Sequence, residues 1–361
     1  MSNATQSIVA TDATSKTSAL IRAAPSPHTA PTLHGRLALD PSRRLSRYVV
    51  IAGRGRSGTN FLLSLLNLSP LTHTRNEPHE LMGSALSRLP KPWFVRDAQT
   101  MDENWDHAVT RTVYSMGARD HLARGPKEFL RPIPRMLGLY RMVDGPRSRA
   151  LLSLMLPSLR GEEWLMPRWL GDYEKLSRAL PVLKLGPTPG WMVWLLKHRP
   201  EARVIHIARH PGGFLNSWRN RWLLLNDRQE VRRRNQIRLR AIAEVFPDWA
   251  ERFGDIDAMS AEEAELWYWT YTNEVIHNAG RGNPNYTLVI YERLAANAVE
   301  IARQLYHFCE LPWTREIERQ VQAESADSLS ISNSWQEKLP REQIELVNRM
   351  LAQSTINEWW R

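Results

Sequence analysis

The sequence predicts an α/β protein of three layers, with helices on both faces of a central parallel sheet. Three stretches carry that expectation. The first is a β-branched run at residues 48–52, then a Gly, Arg and Ser loop at 53–58, then a Leu-rich helical run from Thr59 to Leu68. The second reads strand at 181–186, helix at 191–198 and strand at 203–208, followed by a helix opened by Pro211. The third is a helix at 261–279, acidic in its first turns, feeding a strand at 287–291. Strand and helix alternate, as parallel pairing requires, because each crossover must return the chain to the same end of the sheet.

The loop at 53–58 has the chemistry of an anion cradle. Small residues let backbone N–H groups close on a phosphate, and the helix behind them adds unpaired N-terminal donors and the positive end of its dipole. Arg54 and Arg56 supply full charges. Gly53 and Gly58 have the glycine spacing of an ATP-binding phosphate loop, but Thr59 and Asn60 stand where that loop has Lys and Ser or Thr. Read alone, the segment is also compatible with a plain turn between a buried strand and a helix. A second anion site follows the strand at 203–208: Arg209 ends it, and Ser217 lies eight residues on, along the helix that Pro211 starts. One guanidinium and one hydroxyl make a phosphate clamp.

Taken together, Arg56-Ser57-Gly58-Thr59-Asn60 and Arg209 with Ser217 resemble the two nucleotide elements of sulfotransferases that use 3′-phosphoadenosine 5′-phosphosulfate (PAPS). His210 stands where that family commonly has Asp. Further resemblance lies in Tyr291-Glu292-Arg293-Leu294, in a helix at 296–309 ending in Glu310-Leu311-Pro312, and in residues 328–339 with Trp335 as a packing anchor. The resemblance runs in order from Tyr48 to Ala352 and implies a P-loop-like sulfotransferase fold, PAPS as donor, adenosine 3′,5′-bisphosphate as product, and no metal. It also implies the binding residues: Arg54, Arg56, Ser57, Gly58, Thr59 and Asn60 for the 5′-phosphosulfate, Arg209 and Ser217 for the 3′-phosphate, and Ser332, with Ser330 and Asn333, closing on the nucleotide.

Sulfuryl transfer takes a proton from the acceptor, so a base is needed at the carboxyl edge of the sheet. Asn76-Glu77-Pro78-His79-Glu80 follows the second strand candidate, at 71–75. Glu77 is the first candidate and His79 the next; a helix cap or ion-pair role for Glu77, and a turn position for His79, are the ordinary readings beside it. Lys184, inside a buried strand, needs a partner and is a secondary catalytic candidate.

The 361 residues and their 42% hydrophobic content support a substantial core. Residues 1–46, rich in Ala, Ser, Thr and Pro, read as a disordered tail before one catalytic domain at 47–361. Residues 80–180, with Trp93, Trp105, Trp164 and Trp169, short helical runs such as 151–159 and many arginines, are the variable acceptor-binding region; each tryptophan alone is more simply core. The chain holds no apolar run of membrane-spanning length and one cysteine, Cys309, from which a cytoplasmic location is expected, with an organelle transit peptide still open for the basic tail.

The chain is basic, with a formal charge of +10, and residues 219–240 hold eight arginines against two acids. That segment suits an anionic donor or acidic acceptor, or simply a solvated face; no zinc-finger spacing or aromatic RNA-binding signature accompanies it. Two alternatives to a sulfotransferase acting on a hydroxyl or amine, in a glycan, glycolipid or other acceptor, stay in view. They are an ATP-dependent kinase of the phosphate-loop type, which the missing lysine disfavours, and a non-catalytic polyanion-binding protein.

Overall fold

The computed structural model describes residues 45–80, 84–90, 92–116, 127–138, 164–165, 168–326 and 334–360. Its centre is a five-stranded, wholly parallel sheet of β1 (Tyr48–Ala52), β2 (Thr72–Asn76), β3 (Leu180–Gly186), β4 (Ala202–Ala208) and β5 (Tyr286–Ile290), ordered β2-β3-β1-β4-β5. The chain enters in the middle, moves outward to β2, returns through β3, and crosses β1 to β4 and β5. Loops leaving the neighbouring strands β1 and β4 therefore run in opposite directions, which opens a crevice above their carboxyl ends where ligands bind in such sheets.

The two faces of β1 show why the layers form. Val49 and Ile51 pack with Leu62, Leu63, Leu65 and Leu66 of α1 (Thr59–Asn67) and, beyond them, with Leu305, Tyr306 and Cys309. Tyr48, Val50 and Ala52 face the other way, onto Trp105 of α2 (Ala98–Tyr114) and Trp191 and Trp194 of α3 (Pro189–His198). Successive strand side chains alternate between faces, and here both are apolar, as in a sheet covered twice. A third apolar cluster joins α4 (Pro211–Trp218), α5 (Arg228–Ala243), α6 (Pro247–Phe253) and α7 (Ala261–Gly280). The described residues belong to one compact unit.

Two expected boundaries shift. The last strand ends at Ile290, and Tyr291 opens a short helix, α8 (Tyr291–Ala296). The helix expected at 296–309 is α9 (Ala298–Phe308), separated from α8 by Asn297 at φ −134° and ψ 51°, outside the helical region. Two later helices are α10 (Arg315–Ser325) and α11 (Arg341–Ala352). In the central region Trp105 is fully buried and donates to the Tyr48 hydroxyl at 2.9 Å, so it is core, whereas Trp169 is 53% exposed. The helical run at 151–159 lies outside the described residues.

Candidate active site at the carboxyl edge of the sheet

Four strand ends build the site: β1 leads to the glycine loop, β2 to Glu77, β3 carries Lys184 near its end, and β4 ends before Arg209. The glycine loop is compressed. Gly53 has φ 146° and a Cβ there would lie 2.3 Å from the Ile207 carbonyl oxygen; Gly58 has φ 90° and a Cβ there would lie 2.3 Å from the Tyr291 ring. Both positions need glycine for conformation and for space. Arg56 itself sits at φ 75°, a left-handed residue that costs energy in a non-glycine and marks a constrained loop.

This geometry places the Ser57 hydroxyl fully inside the protein with no hydrogen-bond partner among the described residues. A buried polar atom left unsatisfied calls for a ligand, because its desolvation is otherwise uncompensated. Thr59 is buried at the first position of α1 and Asn60 is exposed beside it.

The two arginines of the loop divide in their surroundings. Arg54 donates from Nε to Oε1 of Glu265 at 2.7 Å, and Glu265 is fully buried on α7; Arg54 also lies 5.0 Å above the Tyr268 ring. Its charge is thus met by protein. Arg56 instead donates from Nε to the Ser217 hydroxyl of α4 at 3.0 Å, and its carbonyl accepts from Arg209 at 3.4 Å. Arg209 rests 4.6 Å above the Tyr291 ring, the same ring that excludes a side chain at Gly58.

Burial, and then the charge of Arg221, lower the pKa of Arg56 from its ordinary value. Burial is also the largest influence lowering Arg209, with Arg56 adding to it and Tyr291 and Glu292 opposing. Arg56 is exposed at the rim and Arg209 is buried beside it, and two cations so placed that one lowers the other favour an anion near both.

His210 is the N-cap of α4. Its Nδ1 accepts from Gly212 N–H at 3.1 Å, capping α4, while its ring stacks on Trp335 at 4.6 Å and 16°. Burial, then the Arg209 charge, push its pKa down to about 4, so the ring is neutral and free to accept. Glu292 accepts from His210 N–H at 3.0 Å and from Trp360 at 3.1 Å, tying α4 to the segment after β5. Trp335 packs on Gly212 as an anchor would; a Cβ on that glycine would come within 2.4 Å of the indole.

On the other side of the loop Lys184, 2% exposed, gathers three oxygens: Asn60 Oδ1 at 2.6 Å, Asn76 Oδ1 at 3.0 Å and Glu77 Oε1 at 2.8 Å. The buried ammonium thereby finds its counter-ion and fills its donors. Glu77 has φ 51° and its N–H bonds the Lys184 carbonyl at 2.8 Å, so backbone and side chain both fix it to β3. The His79 ring and the Glu77 carboxylate both border Gly186, about 4 Å from where its Cβ would be, and His79 lies edge-on to Trp191 at 5.8 Å.

The structure thus brings Arg56, Ser57, Gly58, Arg209 and Ser217 together, joins Asn60, Lys184 and Glu77 beside them, and sets His79 next to Glu77. Ser332, with Ser330 and Asn333, lies outside the described residues. Sequence reasoning did not assign site roles to Asn76, Tyr291 or Glu292, and placed Arg221 only within a basic segment suited to an anionic donor or acceptor. Tyr291 and Glu292 stood in a motif already noticed for the fold, and Asn76 stood beside Glu77 in the stretch searched for a base. Among the described residues no group of three or more His, Cys, Asp or Glu is arranged to hold a metal ion.

Comparison with known structures finds matches of low identity. A sulfotransferase domain from the Synechococcus PCC 7002 olefin synthase is 14% identical, over 84% of this chain and 94% of that one, with a TM-score of 0.41. The sulfotransferase STF9 from Mycobacterium avium is 18% identical over 86% and 76%, with a TM-score of 0.38. Mouse sulfotransferase SULT7A1 complexed with PAP is 10% identical over 86% and 85%, with a TM-score of 0.40. No curated protein matches the sequence at a significant level. The sequence model of the sulfotransferase family matches residues 49–315, from the first strand past the Glu310-Leu311-Pro312 turn and across both anion loops. With that match over most of its length, the chain belongs to the sulfotransferase family.

Proposed function

We propose that the protein transfers a sulfuryl group from PAPS to a hydroxyl or amine of an acceptor, with a glycan or glycolipid the class that its arginines and tryptophans favour. The observation that carries this reading is the Arg56–Ser217 hydrogen bond with Arg209 on the Arg56 carbonyl, which merges two separate anion loops into one surface. A donor with phosphates at both its 5′ and 3′ positions matches such a surface; a nucleotide with a single phosphate chain does not need it. The unsatisfied Ser57 hydroxyl fits the same donor.

In this reading Ser57, Gly58, Thr59 and Asn60 hold the 5′-phosphosulfate, and Arg209 and Ser217 hold the 3′-phosphate. Arg54, neutralised by Glu265, braces the loop from behind. The acceptor oxygen or nitrogen forms the new bond to sulfur, the bond from sulfur to the bridging 5′-phosphate oxygen breaks, and its electron pair leaves with that oxygen. Arg56 meets the charge developing there, and Lys184, its own donors taken, positions Asn60 in the loop beside it. Glu77 takes the acceptor proton, with His79 as the neighbouring candidate base. Catalysis is then positioning and preorganised charge, without a covalent enzyme intermediate.

The test is calorimetric titration with adenosine 3′,5′-bisphosphate, adenosine 5′-monophosphate and ATP, on the wild type and on Arg209→Ala. Selective binding of the bisphosphate, weakened in the variant, is expected. Equal binding of all three, or none, would overturn the donor assignment.

A further inference from the structure

One surface beside the donor loops has no use in that reaction. After Ser217 the chain completes α4, makes a π-helical turn at Arg219–Leu223, and corners to Asp227, whose carboxylate caps α5 by accepting from Gln229 N–H at 2.8 Å. Leu223 is buried under this corner. Trp222, Leu224 and Leu225 are not: they are 48%, 68% and 66% exposed. A single exposed leucine is ordinary, but three large apolar side chains within four positions form a patch that soluble surfaces avoid unless something covers it.

Arginines frame the patch. Arg221 is exposed and stacks 5.7 Å from the Trp222 ring, and α5 brings Arg228, Arg232, Arg233 and Arg234 into its first two turns. Carboxylates are present too: Glu262 pairs with Arg219 and Arg228, Glu230 with Arg233 and Arg234, and Asp257 with Arg240. The arginines outnumber these acids and Asp227, so the surround stays positive.

We propose that this corner docks the protein on an anionic lipid surface, with Trp222, Leu224 and Leu225 entering the headgroup region and the surrounding arginines facing lipid phosphates. Tryptophan and leucine with flanking basic residues are the composition of interfacial anchors. Trp222 belongs to the π-helical turn and Leu224 and Leu225 to the turn after it, with Leu223 buried between them, so the three present neither a regular amphipathic helix face nor the alternating face that a protein groove or strand edge reads. Positive charge outside the apolar tip selects anionic headgroups.

The docking bears on the site because Ser217, which holds Arg56, is five positions before Trp222, and the Arg221 charge is felt at Arg56. Docking would bring the donor crevice to the bilayer and favour an acceptor carried on a lipid. That consequence for the acceptor rests on the function proposed above; the docking itself does not.

The experiment is co-sedimentation of the full chain with vesicles of phosphatidylcholine alone and with about one-third phosphatidylglycerol, at low and high salt. Binding to the anionic vesicles only, reduced by salt and lowered at least about tenfold in a Trp222→Ser, Leu224→Ser, Leu225→Ser triple variant, is the expected result. Protein remaining in solution with both vesicles, or a triple variant that binds like the wild type, would overturn the proposal and point to a protein partner for the patch. Bisphosphate titration of the same variant keeps the two readings apart, since unaltered nucleotide affinity with lost vesicle binding supports docking alone. Should the triple variant misfold, Leu225→Trp decides: stronger vesicle binding supports docking, and unchanged or weaker binding refutes it.

Discussion

The guanidinium of Arg56 donates to the hydroxyl of Ser217 at 3.0 Å, across 161 positions of sequence. The two groups leave adjacent strands, β1 and β4, at the edge where the loops diverge, so the contact is a consequence of strand order. A left-handed Arg56 thereby meets a serine near the end of α4.

If that contact joins the two phosphate sites, Arg56→Ala and Ser217→Ala should not act independently. Arg56→Ala is expected to lower turnover by about 10²- to 10³-fold, the usual loss for one transition-state donor. A double-mutant cycle on bisphosphate affinity should show coupling of roughly 0.5–3 kcal/mol. Additive effects would mean that the contact has no part in binding.

Gly58 tolerates no Cβ, being at φ 90° with the Tyr291 ring 2.3 Å from the place it would occupy. Gly58→Ala is expected to cost on the order of 1–3 kcal/mol in backbone strain and to move Tyr291 from beneath Arg209. Thermal unfolding and nucleotide titration report the two consequences. A variant with wild-type bisphosphate affinity would show that the Gly58–Tyr291–Arg209 stack is not what shapes the site.

Lys184 and Glu77 separate stability from chemistry. Lys184→Met leaves the Glu77 carboxylate beside an apolar strand and should destabilise the fold by roughly 3 kcal/mol, as breaking a buried pair does. Glu77→Gln keeps an oxygen for Lys184. It should retain nucleotide affinity while turnover falls by about 10²- to 10⁴-fold if Glu77 is the base. Unchanged turnover in Glu77→Gln shifts the proton to His79, where His79→Asn would then carry the loss.

Acid should loosen the helix that holds Ser217. His210 caps α4 only as the neutral ring, and burial lowers its pKa from 6.5 to about 4. A lowered histidine contributes stability that is complete above its unfolded value, near 6.5, and is lost as pH falls toward 4. His206, buried between Asn273 and the Tyr286 hydroxyl and also lowered to about 4, acts in the same window. Unfolding free energy measured from pH 7 to 4 should therefore decline more steeply in the wild type than in His210→Asn. Parallel curves would remove His210 from the acid response.

The sequence by itself determined the layers and the loops. The apolar run at Tyr48–Ala52, the glycines at 53 and 58, and the strand before Arg209 are local signals, because the period of a strand and the freedom of a glycine are properties of a few neighbouring residues. The boundary at Tyr291 was misplaced by one residue for the same reason: a β-favouring aromatic after Val289 and Ile290 continues the strand pattern, and only its packing against Gly58 and Arg209 turns it into a helix start.

Tertiary structure decided which charges are spent and which face the crevice. Arg54 and Arg56 are nearly alike in sequence, yet one is closed onto Glu265 of α7 and the other onto Ser217 of α4. Lys184 became part of the site because β3 lies between β1 and β2, within reach of Asn60 and Glu77 at once. His210 can cap α4 because burial keeps its ring neutral, with Trp335 stacked on it. Each of these depends on partners brought from distant positions by the order of strands, and a charge or a ring in sequence carries no record of which partner will reach it.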